Sequence, residues 1–146
     1  MSDVNRDLFP TTRINVPNLV PLMERLRDES LKRSITILQV RSHEEGEWIC
    51  STAAARLARE RVQMLAPQDG KVIDLIEQAI RLKVPIVFVG EIRREEDARA
   101  LRAAATLGIR TVGFLVRESR QEAEDTLTML GGWSSFDVAL LSEHTA

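Results

Sequence analysis

The chain of 146 residues is 44% hydrophobic and 29% charged, the size and balance of one globular domain rather than two. Its 20 basic and 22 acidic side chains leave a net charge of -2, so no long-range field draws it to nucleic acid or to an anionic membrane. A single cysteine, Cys50, with only His43 and His144 as histidines, excludes an internal disulfide framework and a multi-cysteine zinc cluster.

The first ten residues carry no apolar core of signal-peptide length, and no run approaches the ~20 apolar residues of a spanning helix. The reading is a cytoplasmic protein with no membrane insertion. Residues 1–17 are expected to form a flexible N-terminal segment, and residues 18–146 a single domain. From residue 18 onward helix-like and strand-like patterns alternate. Leu19, Leu22, Met23 and Leu26 share a helix face, with Pro17 and Pro21 suited to the first turn. The apolar, β-branched run 35–40 reads as a buried strand. A helix over 50–60 follows, with Ile49, Ala53 and Leu57 on one side, then a weaker strand over 61–66 ended by the turn Pro67-Gln68-Asp69-Gly70. The helix over 71–83 turns Val72, Ile73, Ile76 and Ile80 to one face. A strand over 84–90, a helix with an acidic first turn over 94–107, and Gly108 as its left-handed stop come next. A strand over 109–116, a helix over 118–130 and a strand over 136–141 complete the series. Five strands separated by helices predict an α/β fold, a three-layer sandwich around a mainly parallel sheet of about five strands.

In such sheets ligands gather at the strand carboxyl ends. After the first strand, residues 41–52 read as an acidic connecting loop. Gly46, Ser51 and Thr52 are what remains of a phosphate-binding loop there, with neither the glycine run nor the lysine that cradle phosphates. Glu44, Glu45 and Glu47 stand in their place. Two like charges at ~4 Å repel by about 4 kcal/mol at an effective dielectric near 20, which is enough to reverse a modest nucleotide affinity. After the third strand, Gly90 precedes Glu91, the one candidate for a water-activating or magnesium-binding carboxylate; pairing with Arg93 or Arg94 is the competing role. Trp48 and Trp133 stand where core packing does not plainly demand them, and with Arg93 they are candidates for contacts with a partner protein.

Residues 84–116 resemble the segment of the type II/type IV secretion and pilus-motor ATPases that runs from the Walker B strand through the next helix and strand. Val89, Gly90, Glu91, Ile92 and Arg93 fall on that family's V-G-E-[IM]-R signature, and Ala98, Ala104, Ala105 and Gly108 on positions that follow it. Residues 75–85 are similar to its approach to the same strand. The departures are Arg94 in place of the signature's aspartate, Ile109 and residues 115–117 in place of histidines, and the missing phosphate loop. The resemblance implies a RecA-like P-loop NTPase topology without a working P-loop. It implies a catalytically inactive component that binds no cofactor, no metal and no nucleic acid. Such a component would act through protein partners, further copies of itself included. A non-phosphorylated receiver-like module and an active NTPase using Ser51 or Thr52 with Glu91 are the alternatives.

Overall fold

The computed structural model describes residues 16–66 and 71–142. Helix α1 (Val16–Arg27) leads into β1 (Ser34–Val40), α2 (His43–Arg59), β2 (Met64–Leu65), α3 (Val72–Leu82), β3 (Ile86–Glu91), α4 (Glu95–Thr106), β4 (Arg110–Val116), α5 (Arg120–Leu130) and β5 (Asp137–Ser142). The strands form one five-stranded sheet in the order β2-β3-β4-β1-β5, and every neighbouring pair is parallel. This is an α/β three-layer sandwich consistent with the RecA-like type. A receiver places its first strand between the second and third, in the order 2-1-3-4-5. Here β1 lies between β4 and β5, which sets the receiver-like alternative aside.

Two apolar cores flank the sheet. On one face, α1 and α2 bury Leu19, Leu22, Leu26, Ile49, Ala53 and Leu57 against Leu38, Phe88 and Phe114. On the other, α3, α4 and α5 bury Ile76, Ala79, Leu101, Ala104 and Leu127 against Ile35, Ile37 and Val87. Sheet residues therefore alternate between faces as the pleat requires. The strong β1 and β4 signals give strands that are buried almost throughout, whereas the run 61–66 yields only two strand residues.

Several expectations are corrected. The segment 41–52 is not a loop: α2 begins at His43, seven residues before the predicted start. Its signal was the capping pattern Ser-x-x-Glu. The Ser42 hydroxyl accepts the Glu45 N–H at 3.1 Å, and Glu45 Oε1 accepts the Arg41 N–H at 2.7 Å. On α3 the buried residues are Leu75, Ile76 and Ala79, while Ile73 and Ile80 are 43% and 36% exposed. Pro21 sits inside α1 rather than in its first turn, and α1 starts at Val16, within the segment assigned to the N-terminus. Residues 1–15, the turn at 67–70 and His144 lie outside the described residues. Among the described residues no helix is long and apolar enough to cross a membrane.

Three helices end in the same way. The last turn of α2 is closed by Arg61 N–H to Ala58 O at 3.0 Å and Val62 N–H to Leu57 O at 2.9 Å. The same pair of bonds closes α3 through Lys83 and Val84, and α4 through Gly108 and Ile109. Each motif needs a left-handed residue, with φ of 64° at Arg61, 57° at Lys83 and 91° at Gly108. Glycine adopts that conformation freely, while a side-chain-bearing residue incurs a cost of about 1–2 kcal/mol.

Candidate functional site

The carboxyl end of the sheet is where the fold directs a ligand. The helix after β1 packs on one face and the helix after β4 on the other, so the crevice between these adjacent strands is the topological switch point. Here it is spanned by protein. Gln39 Nε2 donates to Arg117 O at 2.7 Å, Arg41 Nε to Glu118 O at 3.2 Å, and Arg117 N–H to Val40 O at 2.9 Å. The connection from β1 to α2 is only Arg41 and Ser42. A phosphate loop needs several consecutive backbone N–H groups curled around the anion. Two residues do not supply that curl.

Gly46 has a different task. It is buried on α2, and a Cβ built there would lie 2.4 Å from Cδ1 of Phe114. The glycine thus lets the helix approach β4 closely. Ser51 and Thr52 stand in the third turn of α2: Ser51 is exposed, and the Thr52 hydroxyl donates to Trp48 O at 2.8 Å. The three residues taken as traces of a phosphate loop thus lie along one helix.

Glu91 is carried to α2 by a β-bulge. Phe88 pairs with Val112, but the next partners are Gly90 with Gly113 and Glu91 with Phe114. Val89 is therefore an extra residue, and Gly90, at φ 83°, takes the turn. Gly113 makes room beneath, since a Cβ there would stand 3.1 Å from Val89 Cγ2 and 2.9 Å from Ile92 Cδ1. Simple alternation along β3 would have sent the Glu91 side chain to the α3–α5 face. The bulge sends it to the α2 face, beside Phe114.

There it meets the His43 imidazole and the Arg93 guanidinium. His43 Nδ1 lies 2.8 Å from Glu91 Oε1, and His43 Nε2 lies 3.0 Å from Glu47 Oε2. Arg93 NH2 donates to the same Glu91 oxygen at 3.0 Å. The His43 ring also stacks edge-on against Phe114, with 5.5 Å between ring centres. The Glu91 hydrogen bond holds the His43 pKa above its ordinary value, with Glu47 adding to it against a partial desolvation. Partial burial alone would raise the Glu91 carboxyl, but the bonds from His43 and Arg93 outweigh it and leave its pKa below the usual range. A general base works best with a pKa near the operating pH. Glu91 is moved away from it.

A cleft of about 600 Å³ opens beside this cluster, between α2 and α3, with His43, Glu47, Ser51, Gly90, Glu91 and Arg93 on its walls. Its upper rim carries the start of α4, where Asp97 Oδ2 accepts the N–H groups of Arg93 and Arg94 at 2.8 and 3.0 Å. Arg94 pairs with Glu96 at 3.2 Å. No group of three or more histidine, cysteine, aspartate or glutamate side chains among the described residues is arranged to hold a metal ion. Cys50 is buried beneath the cleft, and burial pushes its thiol pKa up to about 12, which makes it inert.

The two tryptophans both act as covers of the core. Trp48 is half-buried against the α1–α2 core. Trp133 packs on the other core, donates its indole N–H to Leu127 O at 2.7 Å and lies 5.0 Å from the Arg102 guanidinium carbon. The histidine–glutamate bridge escaped the sequence reading because its members are 48 positions apart. Only the bulge and the early start of α2 bring them together. No protein-family profile matches the chain, and no curated protein matches it significantly in sequence.

Proposed function

We propose that the chain is a catalytically inactive module on a RecA-like core, related to the secretion and pilus-motor ATPases, which works as a binding or regulatory component through protein–protein contacts. One observation supports the inactive reading above the others: the β1–α2 connection has two residues, and its helix start is capped by the chain's own Ser42 hydroxyl and Glu45 carboxylate. An anion approaching this helix meets a carboxylate already seated where a phosphate would gain most from the helix dipole. The state of Glu91 supports the same reading. Bonded through one oxygen to both His43 and Arg93, with its pKa held below the usual range, it accepts a proton less readily than a free carboxylate and has one oxygen already engaged where magnesium would bind.

The test is titration calorimetry of the purified chain with ATP and magnesium. No heat of binding is expected up to millimolar nucleotide. A dissociation constant of about 100 μM or tighter, worth about 5.5 kcal/mol, would overturn the reading, as would phosphate release abolished by Glu91→Gln.

A further inference from the structure

The opposite end of the sheet carries a feature that the closed carboxyl end does not explain. Among the described residues, all three non-glycine residues with positive φ are cations: Arg33, Arg61 and Lys83. Each stands just before a strand, and Arg61 and Lys83 precede the neighbouring strands β2 and β3. Helix α4, closed by the same motif, uses Gly108. At two of three equivalent stops the sterically favoured glycine is thus replaced by a charged side chain.

Arg61 lines a groove of about 550 Å³ with Val62, Met64, Leu82 and Val84. Leu82 is 55% exposed and adds apolar surface to this lining. Arg59, Arg61, Arg81 and Lys83 flank these residues in sequence and are all exposed. None of the four makes an ion pair with a described carboxylate, and the nearby Glu60 is taken by Arg27. On and just before α4 and α5, by contrast, Arg93, Arg94, Arg99 and Arg120 are all paired. Helix dipoles favour cations at helix ends, but that effect does not require the strained position itself. A conformational cost kept at such a place points to a role for the side chain.

We propose that this groove, at the amino end of β2 and β3, is a docking site for an acidic protein segment that presents aliphatic side chains between carboxylates. Charge complementarity selects the class. Arg61 in the lining and Arg59, Arg81 and Lys83 next to it in sequence, none paired among the described residues, favour an anionic partner, and the aliphatic lining of Val62, Met64, Leu82 and Val84 favours apolar groups to cover it. Nucleic acid offers no aliphatic group for that floor and finds no aromatic side chain among the groove residues on which to stack a base. A membrane finds Leu82 as the one exposed large apolar side chain of this lining, too little apolar surface to bury in a bilayer. The site lies away from the cleft beside Glu91, so it stands or falls independently of the nucleotide question.

The test is a titration of the full chain with a peptide alternating glutamate and leucine, followed by backbone amide shifts. A matched lysine–leucine peptide, vesicles containing phosphatidylglycerol and a DNA duplex serve as controls. The shifts should localise to residues 58–64 and 82–84, and affinity should fall when ionic strength rises from about 0.1 to about 1 M, where the screening length shortens from about 10 to about 3 Å. In the double variant Arg61→Gly/Lys83→Gly, binding should weaken about tenfold while the thermal midpoint rises, because glycine relieves both left-handed residues. Leu82→Ser, at an exposed position, should weaken binding with the midpoint unchanged. Equal affinity for the lysine–leucine peptide, tighter binding to vesicles or duplex, shifts located elsewhere, or unaltered affinity in the glycine variant would each overturn the proposal.

Discussion

The two ends of the sheet handle charge in opposite ways. At the strand carboxyl ends, several acids at or near the helix starts are consumed internally. Glu45 and Glu122 accept the N–H groups of Arg41 and Glu118, Asp97 accepts two, and Glu91 is shared by His43 and Arg93. At the amino ends, Arg61 shares a lining with exposed Leu82, and Arg59, Arg81 and Lys83 stand next to lining residues in sequence, all four without an ion pair among the described residues. The lesson is that a net charge of -2 says little about a surface. In a parallel α/β fold all the helices that follow strands point the same way, so acids collect at one end and bases at the other. Only the pairing within each end decides which one faces the outside with charge to spare.

The closed end can be forced open most directly at its tightest contact. Gly46→Val would place a branched side chain where even one Cβ reaches 2.4 Å from the Phe114 ring. Overpacking of that severity is expected to destabilise the protein by about 3 kcal/mol, read as a lower urea midpoint with an unchanged slope. Phe114→Ala in the same background should restore part of the loss. Ser42→Ala removes a helix cap and is expected to cost about 1 kcal/mol; a change below ~0.3 kcal/mol would mean that the start of α2 is fixed by packing alone. Cys50 sharpens the comparison from inside. Buried beneath the cleft with its thiol pKa near 12, it should label with iodoacetamide only after unfolding, and rapid labelling of the native protein would show that the end opens locally.

The smallest effect is on pH. The His43 pKa is raised above 6.5, so its contribution to stability is fully present below pH 6.5 and is lost as pH rises through the raised value. The Glu91 pKa is lowered from 4.5, so its contribution is present above pH 4.5 and is lost as pH falls through the depressed value. The pair therefore stabilises most between about 4.5 and 6.5. Both groups are partly solvated, so the slope will be shallow. In Glu91→Gln the alkaline part of the slope should shrink, and the His43 pKa followed by ring-proton shifts should move down. An unmoved His43 would show that Glu47 alone sustains it.

Much of the fold was legible because its signals are local. A β-branched apolar run such as 35–40 makes a strand by burial, Gly108 stops α4, and alternation of the two patterns makes a parallel sheet. The start of α2 was also local, since Ser42 and Glu45 form a capping pair, but a search for phosphate-loop glycines reads past it. The faces of α3 were not legible in the same way. Ile73, Ile76 and Ile80 satisfy a helical spacing as well as Leu75, Ile76 and Ala79 do, and only the position of β2 and β3 decides which set is covered.

What the sequence by itself determined is the class: α/β, five strands, a missing phosphate loop and one carboxylate at the end of the third strand. Tertiary structure alone decided the strand order, which places β1 between β4 and β5, and the partner of that carboxylate. Strand order depends on which helix crosses which face, a choice made by packing between distant segments. The meeting of Glu91 with His43 depends on one extra residue in β3, and period-two reasoning has no way to count a bulge before the neighbouring strand shows where the register slips.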